Sequence, residues 1–117
     1  MNRDGTSRKT LKGFPKIISI IRSERKFEIL LKAHGPNLRS LLKQIPGEKF
    51  SKTSTFKIMI QLIQRFKILH KLGYVHNDIK PANILVGFKD PGIIYLIDFG
   101  IAHKYLKADG SHIFSKF

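Results

Sequence analysis

The chain has 117 residues, no cysteine, and 22 Lys and Arg against 8 Asp and Glu, for a formal net charge of +14. That length suits one ordinary domain, and the lack of thiols excludes a disulfide framework, a cysteine nucleophile and cysteine-bound zinc while fitting a reducing compartment. The positive balance suits an anionic partner, whether nucleic acid, an acidic membrane surface or acidic and phosphorylated polypeptides; the abundance of Lys, Ile and Phe is equally what an AT-rich genome produces.

Residues 1–10 are polar, basic and without periodicity, and are predicted to be a disordered end. They lack the apolar core of a secretory signal, and no apolar run in the chain approaches the length that spans a bilayer, so a cytoplasmic or nuclear location is expected. KIISIIR, Lys16 to Arg22, and FEILLK, Phe27 to Lys32, flank the charged tetrad Ser23-Glu24-Arg25-Lys26. Two β-branched and aromatic runs around a polar turn predict a hairpin. Gly35-Pro36 breaks the strand. Asn37 to Gln44 then reads as a short helix with Leu38, Leu41 and Leu42 on one face, closed by Pro46-Gly47.

Ser51, Thr53 or Ser54 can cap a longer helix that carries Phe56, Met59, Ile60, Ile63, Phe66 and Leu69 at helical spacing and stops at Gly73. So broad an apolar stripe predicts a central, well-buried helix with a packing role. NILVGF, Asn83 to Phe88, and GIIYLI, Gly92 to Ile97, follow, separated by a strong turn signal, Asp90-Pro91-Gly92. A four-residue loop over 89–92 would set Phe88 against Ile93, Ile84 against Ile97 and Asn83 against Asp98. Directly opposed residues have Cβ atoms about 4.5–5.5 Å apart. The hairpin would then deliver an amide oxygen and a carboxylate to one point, the hard ligands that a magnesium ion carrying phosphates requires.

Between the long helix and this hairpin lies YVHNDIKPANILV, Tyr74 to Val86. Polar groups set into an apolar context need partners or a chemical task. Asp78 precedes Asn83 by five residues, so one end of the hairpin can gather Asp78, Lys80, Asn83 and Asp98. Phosphoryl transfer needs a carboxylate to orient the attacking hydroxyl and take its proton, a cation near the transferring group, and metal ligands. These residues offer all of them; the plainer alternative is a hydrogen-bonded loop that only anchors the hairpin.

HNDIKPAN, His76 to Asn83, resembles the catalytic loop H-R-D-x-K-x-x-N of eukaryotic protein kinases, and Asp98-Phe99-Gly100 resembles their metal-binding triplet. The Lys80-Pro81 pair is similar to serine/threonine kinases. GPNLRSLL, YLIDFGIAHKY, GSHI and LKGFPKI are similar to segments of the casein kinase I family. The resemblance implies an α+β fold and a single partial kinase domain over 1–117: residues 11–34 as the end of the small lobe and the hinge, residues 35–117 as the first part of the large lobe. It implies an ATP-dependent serine/threonine protein kinase that moves the γ-phosphoryl of Mg-ATP to protein side chains. Asp78 would be the base, Lys80 the cation, and Asn83 and Asp98 the Mg2+ ligands. Leu31 would sit at the gatekeeper position, Ala33 and His34 in the adenine hinge, and Leu85 and Ile97 beneath the base. The partners implied are protein substrates, acidic or already phosphorylated, with no specific nucleic acid and no membrane span.

The departures bear on activity. Asn77 stands where the family has an arginine that can hold a phosphorylated activation loop. The 117 residues contain neither a glycine-rich phosphate loop nor a V-A-x-K lysine. The chain is therefore expected to be a fragment without measurable kinase activity by itself, the alternative being a non-catalytic, pseudokinase-like basic binding module. His76 is expected to be structural. His34, His70, His103 and His112 share no metal-ligand spacing.

Overall fold

A computed structural model of the chain describes residues 11–113, and the predicted disordered end at 1–10 lies outside them. Strand β1, Ile17–Arg22, pairs antiparallel with β2, Phe27–Leu31, so that Ile21 opposes Glu28 and Arg22 opposes Phe27. Ser23 closes the turn: its N–H donates to the Lys26 carbonyl at 2.9 Å and its Oγ accepts from the Lys26 N–H at 3.0 Å. The hairpin expected from the sequence forms, but it buries little. Ile17, Ile18, Ile20, Ile21, Phe27, Ile29, Leu30 and Leu31 are all at least 45% exposed.

Helix α1, Leu38–Lys43, begins at Asn37, whose Oδ1 accepts from the Ser40 N–H at 2.9 Å and so satisfies one of the free donors of the first turn. A 3-10 turn over Pro46–Glu48 leads to α2, Lys52–Lys71, capped in the same way by Ser51 on the Ser54 N–H at 3.1 Å. Gly73 ends it with φ 90°, a left-handed conformation that glycine adopts without a Cβ penalty.

The expectation of a well-buried α2 requires correction. Leu69 is 7% exposed, but Phe56, Met59, Ile60 and Ile63 each expose half or more of their surface. The reason is which face the rest of the chain covers. The core consists of Leu38, Ile84, Ile94 and Leu96, and it packs on Ile58, Leu62 and Phe66 of α2. The stripe through 56, 59, 60 and 63 lies beside that face, and no described element covers it.

Strands β4, Ile84–Val86, and β5, Ile94–Leu96, form the second hairpin. Its register differs from the expected one by one residue: Ile84 opposes Leu96, Leu85 opposes Tyr95 and Val86 opposes Ile94. Asp90, Pro91 and Gly92 do make the turn, with the Ile93 N–H on the Asp90 carbonyl at 3.2 Å and the Gly92 N–H on Asp90 Oδ1 at 3.1 Å. The strands close earlier, where the Gly87 N–H donates to the Ile93 carbonyl at 2.9 Å, leaving Phe88 as one extra loop residue. Gly87 permits this because a Cβ there would lie 2.2 Å from the Asp90 carbonyl oxygen.

Both edges of this hairpin are occupied. On the β4 side the Gly35-Pro36 segment adds to it, with the Gly35 N–H on the Val86 carbonyl at 2.8 Å and the Val86 N–H on the Pro36 carbonyl at 3.0 Å. On the β5 side the Ile94 N–H donates to Gln61 Oε1 of α2 at 3.0 Å, and the Leu96 N–H donates to the Gly13 carbonyl at 2.9 Å. Gly13, at φ 83°, lies so close to the buried Arg65 that a Cβ would overlap its guanidinium. Finally β3, Tyr74–Val75, pairs antiparallel with β6, His103–Lys104, which returns the chain to the start of the polar loop. The architecture is α+β: one long helix with the β4–β5 hairpin and the short β3–β6 ladder against it, and a first hairpin that buries little. Among the described residues no helix is long and apolar enough to cross a membrane.

Candidate active site

The polar loop leaves β3 at His76, which is 3% exposed. Its Nδ1 accepts from the Asp78 N–H at 3.1 Å, so its Nε2 carries the proton and donates to the Ile97 carbonyl at 2.8 Å. The imidazole thus ties the loop to the residue before Asp98. Its ring also meets Phe99 edge-on at 4.9 Å between centroids, and Phe99 meets Phe14 at 6.1 Å. Asn77, next in the chain, has φ 68°. Asparagine tolerates this left-handed region better than almost any other non-glycine residue, so the residue type suits the bend.

Asp78 is half-buried. Asn83, 6% exposed, comes off a 3-10 turn over Pro81–Asn83 and turns its amide back into the loop. Its Nδ2 donates to the Asp78 carbonyl at 3.0 Å and to Asp78 Oδ2 at 3.1 Å. The amide nitrogen is thereby committed, and Oδ1 is the Asn83 atom left for a cation. Lys80 Nζ stands 3.5 Å from Asp78 Oδ1, with side-chain exposures of 54% and 29%. In so solvated a setting the pair contributes little to stability. Its consequence is positional, since it keeps an ammonium beside the carboxylate.

Asp98 is exposed with φ 60°, and its Oδ1 accepts from the Gly100 N–H at 3.2 Å, which leaves Oδ2 outside that bond. The expected cross-strand pairing of Asn83 with Asp98 is corrected by the register. The Ile97 N–H donates to the Asn83 carbonyl at 3.0 Å, so Ile97 opposes Asn83 and Asp98 falls one residue beyond. Strand alternation therefore does not aim the two side chains. The 3-10 turn aims Asn83, and the left-handed backbone of Asp98 aims its carboxylate. The donor set, one amide oxygen and one carboxylate, suits Mg2+, which keeps waters and phosphate oxygens for its other positions. Among the described residues no three His, Asp or Glu side chains gather as a larger cage.

The residues expected around an adenine are spread more widely. Leu31 ends β2 and is 45% exposed, Ala33 is exposed, Leu85 lies in β4 opposite Tyr95, and Ile97 is held by His76. His34 stacks on Tyr95 at 3.8 Å and lines a cavity of about 360 Å3 with Lys12, Lys16 and Lys32. Burial, and then the charge of Lys32, push the His34 pKa below its ordinary value. Two residues that sequence reading passed over belong to the site: Phe14, through Phe99, and His103, whose Nδ1 lies 2.6 Å from Asn77 Nδ2. No spacing rule points to His103; only the pairing of β3 with β6 brings it to the loop.

A histidine-tethered carboxylate loop facing an Asp-Phe-Gly triplet across a short hairpin is the arrangement of a protein kinase. Residues 7–115 match the protein kinase domain, and the chain belongs to that family. A probable serine/threonine-protein kinase of Dictyostelium discoideum is 42% identical over 78 residues, 65% of this chain and 16% of that protein. The serine/threonine-protein kinase spe-6 of Caenorhabditis elegans is 30% identical over 106 residues, 90% of this chain and 28% of that protein. A probable casein kinase I homolog of Encephalitozoon cuniculi is 39% identical over 77 residues, 66% of this chain and 23% of that protein. The chain thus spans less than a third of the length of each of these relatives.

Proposed function

We propose that this chain carries the catalytic loop and metal triplet of an ATP-dependent serine/threonine protein kinase of casein kinase I type. The observation that supports this most is the Asp78 carboxylate, fixed by the Asn83 amide at 3.1 Å and flanked by Lys80 at 3.5 Å. In this reading Asp78 orients a substrate Ser or Thr hydroxyl and takes its proton as the bond from its oxygen to the γ-phosphorus forms and the bond from that phosphorus to the β–γ bridging oxygen breaks. Lys80 sets positive charge beside the transferring group. Asn83 Oδ1 and Asp98 Oδ2 would hold Mg2+, which when bound neutralises charge on the phosphate oxygens.

The substrates in this reading are acidic or already phosphorylated proteins. The net charge of +14 favours them. So does a cavity of about 330 Å3 beside the catalytic loop, where Arg39, Lys43 and Lys80 outnumber a single anion, Glu48. The test is phosphoryl transfer from Mg-ATP to peptides, with the glycine-rich and activation segments supplied from a casein kinase I. Asp78→Asn is expected to lower transfer about 10²- to 10⁴-fold while nucleotide affinity holds. Lys80→Ala should also slow it. Transfer by Asp78→Asn at the unmodified rate would overturn the assignment of Asp78 as the base, and no transfer by the unmodified sequence would leave a basic module that binds anionic partners.

A further inference from the structure

His76 and Asn77 are consecutive, and they grip carbonyls on either side of the Asp98-Phe99-Gly100 triplet. His76 Nε2 donates to the Ile97 carbonyl at 2.8 Å, and Asn77 Nδ2 donates to the Ile101 carbonyl at 3.3 Å. The same Asn77 amide group lies 2.6 Å from His103 Nδ1. An amide nitrogen only donates, so this second contact requires Nδ1 to be the unprotonated acceptor and Nε2 to carry the hydrogen. Turning the amide over would satisfy a donor at His103 but would set the Asn77 oxygen against the Ile101 carbonyl. Only one arrangement satisfies both partners, and it is uncharged.

Further bonds make the held segment one unit. Val75 opposes His103 and Tyr74 opposes Lys104 in the β3–β6 ladder, and the Tyr105 N–H donates to the Gly73 carbonyl at 2.8 Å. The Ala102 N–H donates to the Phe99 carbonyl at 3.1 Å, and the Gly100 N–H donates to Asp98 Oδ1 at 3.2 Å. A chain of local bonds therefore runs from the Asn77 amide to the Asp98 carboxylate.

We propose that Asn77 and His103 form a neutral latch that fastens the segment after the triplet to the catalytic loop and so positions Asp98, with no anionic group needed to hold it. The two are positioning residues, acting on the metal ligand through residues 99–102. Their role in transfer rests on the kinase reading above, but the latch itself is read without any activity. An inactive protein with an intact latch would therefore sink only that reading.

The test uses the 117-residue chain in two ways. First, the ring nitrogen shifts of His103, measured by NMR on the neutral imidazole, should report an unprotonated Nδ1, with a coupling across the hydrogen bond to Asn77 Nδ2. Second, hydrogen exchange of the Gly100 and Tyr105 amides should quicken about three- to tenfold in Asn77→Ala, the range given by losing a hydrogen bond of ordinary strength. His103→Ala should match it, and the double variant should add little to either single change. His103→Gln, which offers an acceptor oxygen, should restore slow exchange, whereas His103→Lys, which offers only donors, should not. A hydrogen on Nδ1 would overturn the latch, as would unchanged exchange in Asn77→Ala. Equal rescue by Gln and Lys would reduce His103 to a space-filling residue and overturn it too.

Discussion

The side-chain amide of Asn83 donates to two oxygens of one residue, the carbonyl of Asp78 at 3.0 Å and its Oδ2 at 3.1 Å. A single residue thus closes the loop from Asp78 to Asn83 and aims the Asp78 carboxylate. Because Asn83 is 6% exposed, removing its side chain leaves a small void and takes the donor from both part-buried Asp78 oxygens. Asn83→Ala is expected to lower the unfolding free energy by about 1–3 kcal/mol, measured by urea denaturation. Mn2+ binding in the presence of ATP should weaken at least about tenfold in Asn83→Ala and in Asp98→Ala alike, read by the EPR signal of free Mn2+.

The hairpin register depends on Gly87. A Cβ there would meet the Asp90 carbonyl oxygen at 2.2 Å and its carbon at 3.1 Å, and both are backbone atoms that no rotamer change can move. Gly87→Ala should therefore destabilise the fold by roughly 1–3 kcal/mol in chemical denaturation. Cross-strand NOEs between Val86 and Ile94 should weaken with it. Unchanged NOEs together with unchanged stability would show that the loop closes without the close approach.

His34 makes stability depend on pH. Burial, and secondarily the Lys32 charge, hold its pKa below the ordinary 6.5, so the unfolded chain takes up the proton more readily than the folded one. Where the unfolded state binds more protons, stability rises with pH. Stability should therefore be complete above about pH 6.5 and fall on acidification, until the pH drops below the folded-state pKa. His34→Phe keeps a ring against Tyr95 and cannot titrate. The drop in Tm from about pH 7.5 to about pH 5.5 should be smaller in this variant, by differential scanning calorimetry.

Apolar surface on the first hairpin and on α2 should make the chain associate. Among the described residues, Ile20 is 50% exposed on a strand with an unpaired edge, and Ile63 is 61% exposed on a helix face that no element covers. Such patches mark contact surfaces or aggregation sites. Ile20→Lys with Ile63→Lys should shift sedimentation toward monomer while changing folding stability by only about 0.5 kcal/mol per site. Equal association by the double variant would place the contact elsewhere.

Local chemistry by itself determined most of the elements. Asn37 and Ser51 mark their helix starts because each side chain can satisfy a donor within three residues, and Gly73 marks a stop because it alone takes the left-handed conformation cheaply. The Asp78 to Asn83 loop was legible for a similar reason, since its spacing closes on itself. The tertiary structure decided what depended on neighbours. A one-residue change of register moved Asn83 off Asp98, because loop closure was set by the contact of Gly87 with Asp90 rather than by turn propensity alone. The α2 stripe was apolar on more than one face, and periodicity could not say which face the β4–β5 hairpin would cover. His103 lies 26 residues beyond Asn77, and only the antiparallel return of β6 along β3 brings its ring within hydrogen-bond reach of the loop.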